Sequence, residues 1–182
     1  LVILLVAASA AAPVVHGGAQ GHYDIALKKP STAGMDLVEA LGARRSVRAF
    51  SDKPLTNDDL GAILWAAIGV NRAGGKRTSP TAYGRHYMKL YVISDTGAYL
   101  YDAEAHRLTA VPNAGMKKDV ATQAYVARAP HVLVIAADLG RFPLFVTGRE
   151  DRIRVAHSTA GCVAQNVYLM AAALKAGTCM VA

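Results

Sequence analysis

The chain has 182 residues, 53% of them hydrophobic, and a formal charge of +7 from 20 Lys and Arg against 13 Asp and Glu. That length suits one domain with a sizeable core, and that hydrophobic share excludes a disordered chain. The basic excess is split into short groups (Lys28-Lys29, Arg44 to Arg48, Arg72 to Arg85, Lys117-Lys118, Arg149 to Arg154) with no groove-reading motif or stacking aromatics beside them, so no nucleic-acid partner is expected.

In chain order, Leu1 to Ala12 carries no charge and is too short to span a bilayer as a mature helix. It reads as the apolar part of a secretory signal peptide, with a small-residue cleavage site at Gly17-Gly18-Ala19. Residues 1–19 are therefore expected to be a partial leader, residues 20–34 a polar linker and residues 35–182 a single domain. The protein is expected to be exported, to the periplasm, with no membrane span once the leader is gone. Met35 to Ala43 has helical apolar spacing, and Phe50 to Pro54 reads as a turn. Thr56 can cap a helix whose first turn holds Asp58 and Asp59 and whose stripe is Leu60, Ile63, Leu64, Ala67 and Ile68. Gly69 ends it, and residues 70–86 read as one long functional loop.

Met88 to Ser94 predicts a strand, and Tyr99 to Tyr101 with Leu108 to Val111 a hairpin. Val120 to Arg128 predicts a helix ending before Pro130, and His131 to Ala137 a central strand covered on both faces. Residues 138–148 read as loop, Arg149 to Val155 as a short charged helix and Ser158 to Lys175 as a separate long helix stopped by Gly177. Thr178 to Ala182 begins a strand. Helices and strands alternate irregularly, which predicts an α+β fold.

The two cysteines, Cys162 and Cys179, flank most of the long helix. At about 1.5 Å rise per residue they stand roughly 20 Å apart, too far for a disulfide. The six histidines show no ligand spacing, so no metal site is expected. Gly74-Gly75-Lys76 lacks the spacing of a phosphate loop, and no nucleophile elbow is present.

The densest chemical signal is Arg44-Arg45-Ser46-Val47-Arg48-Ala49-Phe50. Guanidinium forks donate in pairs to planar oxyanions, Ser46 adds a small hydroxyl and Phe50 can anchor the turn. An anchored cluster of this kind suits a polyanionic cofactor, because a floppy one would lose its binding energy to ordering entropy.

Together with Leu64 to Arg72, Gly75 to Ala82, Ala127 to Val134, Gly161 to Asn166 and Gly177-Thr178-Cys179, this segment resembles the nitroreductase family, especially its exported members related to thiazole-forming dehydrogenases. The resemblance runs from about Met35 to the end and rests on the order and spacing of the blocks. It implies a mainly antiparallel central sheet flanked by helices, dimeric about a long core helix, with FMN at the dimer interface. By matching positions, Arg44, Ser46 and Arg48, with Arg45 beside them, would hold the flavin phosphate, ribityl chain and pyrimidine edge. Ser79, Pro80 and Thr81 would line the flavin from the partner subunit, and the backbone of Met180, Val181 and Ala182 would lie near its N5. The implied function is transfer of electrons from a reduced donor, NAD(P)H, through flavin N5 to a nitro, quinone or related small-molecule acceptor. The alternative is a non-catalytic exported flavin- or anion-binding protein. Two departures stand out: Gly84 and His86 occupy positions where many relatives carry Asn and Gln, and the chain stops before the family's last helix and basic C-terminal segment.

The long helix carries its own expectation. Ala160, Val163, Ala164, Val167, Tyr168, Leu169, Met170, Ala171 and Leu174 cover nearly its whole circumference. A helix apolar all round must be covered all round, which predicts a second copy across a two-fold axis, with Val167 in the contact.

Overall fold

The computed structural model describes residues 2–6, 24–30, 34–112, 120 and 123–181, and for residues 2–6 the backbone alone. The strands are β1 (Val2–Val6), β2 (Ile25–Ala26), β3 (Val70–Arg72), β4 (Lys76–Arg77), β5 (Met88–Ser94), β6 (Gly97–Asp102), β7 (Arg107–Ala110), β8 (Val132–Ala137) and β9 (Cys179–Val181). The helices are α1 (Leu37–Ala43), α2 (Asn57–Ile68), α3 (Ala124–Arg128) and α4 (Arg149–Ala173). The main sheet runs β2-β7-β6-β5-β8-β1-β9. Its five strands from β2 to β8 are mutually antiparallel. The α+β class is therefore as the sequence predicts, and the mainly antiparallel sheet flanked by helices is as the family resemblance implies.

β1 was not foreseen. It lies parallel to both neighbours, pairing Val2 with Val132 on one side and with Cys179 on the other. These residues fall inside the segment read as a removable leader, and here they separate β8 from β9. The cleavage site at residues 17–19 lies outside the described residues.

Alternation along the strands decides which side chains meet the helices. Leu133 and Ile135 of β8 join Leu90 and Val92 of β5 beneath Ile63, Leu64 and Ala67 of α2 and Val163, Val167 and Ala171 of α4. Val132 and Val134 face the other way, toward Val126, Ala129 and Phe50. β8 is covered on both sides, as its unbroken apolar run predicts. Among the described residues no helix is long and apolar enough to cross a membrane.

The caps explain the helix starts. Thr56 Oγ1 accepts from the Asp59 N–H at 3.1 Å, and Asp36 does the same for Glu39 at 2.9 Å. The expected helices at 149–155 and 158–175 are one 25-residue helix, because no Pro or Gly lies between Val155 and Ser158 to interrupt its hydrogen bonds. The long loop at 70–86 contains the β3–β4 hairpin, turned by Gly74 and Gly75 at φ of 74° and 71°. Of the helix expected at 120–128, Ala124–Arg128 is helical and residues 120 and 123 are not, while residues 121–122 lie outside the described residues.

α4 ends at Ala173 and is closed by a left-handed Lys175, not by Gly177. The Ala176 N–H bonds to Ala171 O and the Lys175 N–H to Ala172 O, with Lys175 at φ 57°, a left-handed position that glycine takes without strain. Lys175→Gly should stabilise the protein by about 0.5–1 kcal/mol, the relief of the side-chain penalty less the entropy that glycine adds to the unfolded chain. The measurement is the melting temperature, expected to rise by about 1–4 °C. A fall would mean that the Lys175 side chain contributes more than its backbone costs.

Candidate functional site

The segment after α1 runs beside β9. Ser46 bridges to Thr178, and the Val47 N–H donates to Thr178 O at 2.8 Å. Gly177 lets them approach: a Cβ there would stand 3.0 Å from Val47 Cγ1. Tyr168 of α4 joins the two strips. Its hydroxyl accepts from the Met180 N–H at 2.7 Å and lies 2.9 Å from Ser46 Oγ. Arg44 lies over the Tyr168 ring with Cζ 5.2 Å from the centroid. A hydrogen bond with Tyr125, and then the field of Cys179, hold the Arg48 guanidinium above its ordinary value.

Among the described residues no carboxylate pairs with Arg44, Arg45 or Arg48. Three guanidinium groups without counter-ions on five residues form a natural anion site. Met180 is 42% exposed beside them, whereas Val181 is buried. Ala182 lies outside the described residues. The structure thus brings Arg44, Ser46 and Arg48 together with Met180. Sequence reasoning passed over Tyr168 and Tyr125. The available signal was a tyrosine inside an apolar helix, since a buried phenol seeks a polar partner.

Ser79, Pro80 and Thr81 are arranged differently. Ser79 is 3% exposed and its hydroxyl donates to Ala67 O, at the end of α2. Thr78 Oγ1 donates to Trp65 O at 3.0 Å, Asn166 Nδ2 to Ala66 O at 3.0 Å, and Arg77 to Ile68 O at 3.3 Å. These bonds occupy the carbonyls that a helix end leaves open. The Ser79 side chain is therefore committed to closing α2, which leaves backbone, the exposed Pro80 and the half-buried Thr81 to face a ligand. Ser79→Ala would strand Ala67 O and one donor of Asn166, and should cost about 1–3 kcal/mol. Urea unfolding measures this, and an unchanged midpoint would mean that water replaces the hydroxyl.

Next to this turn is a cavity of 270 Å³ lined by Arg77, Ser79, Thr81, His86, Tyr101 and Arg141 among others. Burial, and then the charge of Arg77, push His86 below its ordinary value. Its Nδ1 is buried and has no partner among the described residues. Tyr83, at φ 60°, is half exposed with its ring edge-on to Phe145 at 5.2 Å, and Gly84 follows it at φ 63°.

The two groups sit on opposite sides of α4. Asn166 bonds Ser79, whereas Tyr168 bonds Ser46 and Met180. Two residues along a helix are a rotation of about 200°.

Residues 41–182 match the model of the nitroreductase family. The chain belongs to the nitroreductase family. It is 35% identical over 162 residues to a nitroreductase-like protein of Methanocaldococcus jannaschii, covering 84% of this chain and 81% of that one. A crystal structure of a nitroreductase-like protein from Ralstonia eutropha superposes with a TM-score of 0.75 at 37% identity, covering 83% of this chain and 72% of that one. The Escherichia coli microcin synthetase McbBCD complex shares the fold at a TM-score of 0.55 and 16% identity, covering 90% of this chain and 68% of that one. Nitroreductases are flavin-dependent oxidoreductases, generally FMN-binding and usually dimeric, so this chain is an oxidoreductase of that general class.

Proposed function

We propose that the protein is an FMN-dependent oxidoreductase that moves electrons from NAD(P)H to a nitro, quinone or related small-molecule acceptor. The observation that carries this reading is the Arg44–Arg48 segment, whose three guanidinium groups pair with no carboxylate among the described residues and which Arg44 and Ser46 tie through Tyr168 to the strand that holds Met180. That donor set fits FMN: the guanidinium groups and Ser46 suit a phosphate and polar edge, and the exposed Met180 beside them suits a flat apolar face. When bound, the flavin supplies the redox chemistry, and the chain supplies binding and orientation.

The protein works in this reading as a homodimer. The Ser79–Thr81 turn and the Arg44–Arg48 segment lie on opposite sides of α4, so one site using both draws them from two copies. Gly161, Cys162 and Gln165 form an exposed stripe of mostly small residues on α4, open to a second helix. The protein is read as exported, with residues through Ala19 removed. The mass of protein recovered from its host tests this, since an intact N-terminus would keep Val2–Val6 for the sheet.

The deciding experiment is the visible spectrum of protein loaded with FMN, before and after NAD(P)H and then an acceptor. Bleaching followed by reoxidation is the expected result. FMN that binds and is reduced chemically, yet passes nothing on to any acceptor, would favour the non-catalytic flavin-binding alternative. No bound flavin would overturn the reading.

A further inference from the structure

We infer that Tyr168 is a positioning residue that makes Ser46 a hydrogen-bond donor to an oxygen of the bound cofactor. The inference rests on the flavin reading and deepens it. A backbone amide only donates, so the Tyr168 hydroxyl must accept from the Met180 N–H, 2.7 Å away. Its one proton is then left for the other polar atom beside it, Ser46 Oγ at 2.9 Å. Ser46 thereby receives a hydrogen bond and keeps its own proton to give. Among the described residues that proton has no other acceptor, and Ser46 is exposed between Arg44 and Arg48.

The result is a directed chain, Met180 N–H to Tyr168 O–H to Ser46 O–H, ending at a ligand oxygen. Hydrogen bonds in such a chain polarise one another, so each strengthens the next. The orientation suits an anionic or carbonyl oxygen, an acceptor, and not a ligand donor. Without Tyr168 the Ser46 hydroxyl could rotate freely and would spend part of its time bonded to water. The same phenol also accepts from Met180, so one side chain of α4 links the arginine segment to β9 in addition to their direct contacts at Thr178.

The test is FMN affinity, read from flavin fluorescence, for the parent protein, Tyr168→Phe, Ser46→Ala and the double variant. Thermal melting serves as the check on folding. Each single variant should weaken FMN binding about tenfold, the order of one hydrogen bond to a charged group. The double variant should also lose only about tenfold, not about a hundredfold, because the two hydroxyls act as one unit. Loosened packing alone would weaken binding as much in the Ser46→Ala background as in the parent. Losses that multiply, or a Tyr168→Phe protein that binds FMN like the parent, would overturn the inference and leave the flavin reading intact. If Tyr168→Phe does not fold, Ser46→Ala still decides: parent-like affinity there removes the donor role. A parent that takes up no FMN overturns both.

Discussion

Arg44→Ala combined with Arg48→Ala should cost the protein its flavin. Both guanidinium groups lie without a carboxylate partner among the described residues, so neither holds the fold together through an ion pair. Their removal should leave the melting temperature of the flavin-free protein nearly unchanged while FMN affinity falls at least about a hundredfold, roughly tenfold for each charge-assisted contact. Arg44 covers the Tyr168 ring, whereas the largest influence on Arg48 is Tyr125, so each guanidinium should contribute its own share of the loss. Arg44→Lys with Arg48→Lys keeps the charge and loses the forks, and it should fall between parent and alanine variant. Parent affinity should also drop as salt rises, because exposed charges are screened. A double alanine variant that retains FMN as tightly as the parent would put the flavin elsewhere.

The second large effect separates protomer from dimer. The sequence suggests Val167 as a contact across a two-fold axis, but Val167 is fully buried inside the protomer, under α2 and the sheet. Val167→Glu would bury an unpaired carboxylate and should cost more than about 3 kcal/mol, enough to unfold a marginally stable domain, so it cannot report on association. Cys162 is exposed on α4, between Gly161 and the Gln165 turn. Cys162→Arg should leave the protomer folded and, in the proposed homodimer, place two guanidinium groups against each other across the axis and disperse it. Flavin binding should fall with it, because the Ser79–Thr81 turn would then lose its place beside the partner's arginines. Light scattering and flavin absorbance, taken together on one sample, read both. A flavin-loaded monomer at micromolar concentration would overturn the dimeric site.

The helical stripe of α2, its Thr56 cap, the buried run of β8 and the arginine cluster were all legible, since each is a pattern of neighbours in the chain. The two halves of α4 look separate in the sequence because charge fills its first turns and apolar residues its last, although nothing between them breaks a helix. The β3–β4 hairpin was missed because a strand of two or three residues leaves almost no periodicity, and only the glycine pair marks it. The motif position of Ser79 suggests a ligand-lining residue, and nothing near it in the chain signals that its hydroxyl closes α2, a role set by a helix end twelve residues earlier.

By itself the sequence determined the class of fold, the membership of the 41–182 segment in a flavin-dependent family, and the cationic cluster on which the site is built. These depend on side-chain type and short spacing, and both are written in the chain. Only the tertiary structure decided what Tyr168, Asn166 and Val167 do, and which strand lies between β8 and β9. Ser46 and Tyr168 are 122 residues apart, and Asn166 and Ala66 are 100 apart. Whether a polar atom in an apolar helix finds a partner depends on what the packed sheet and loops bring to it, and local preference carries no record of that.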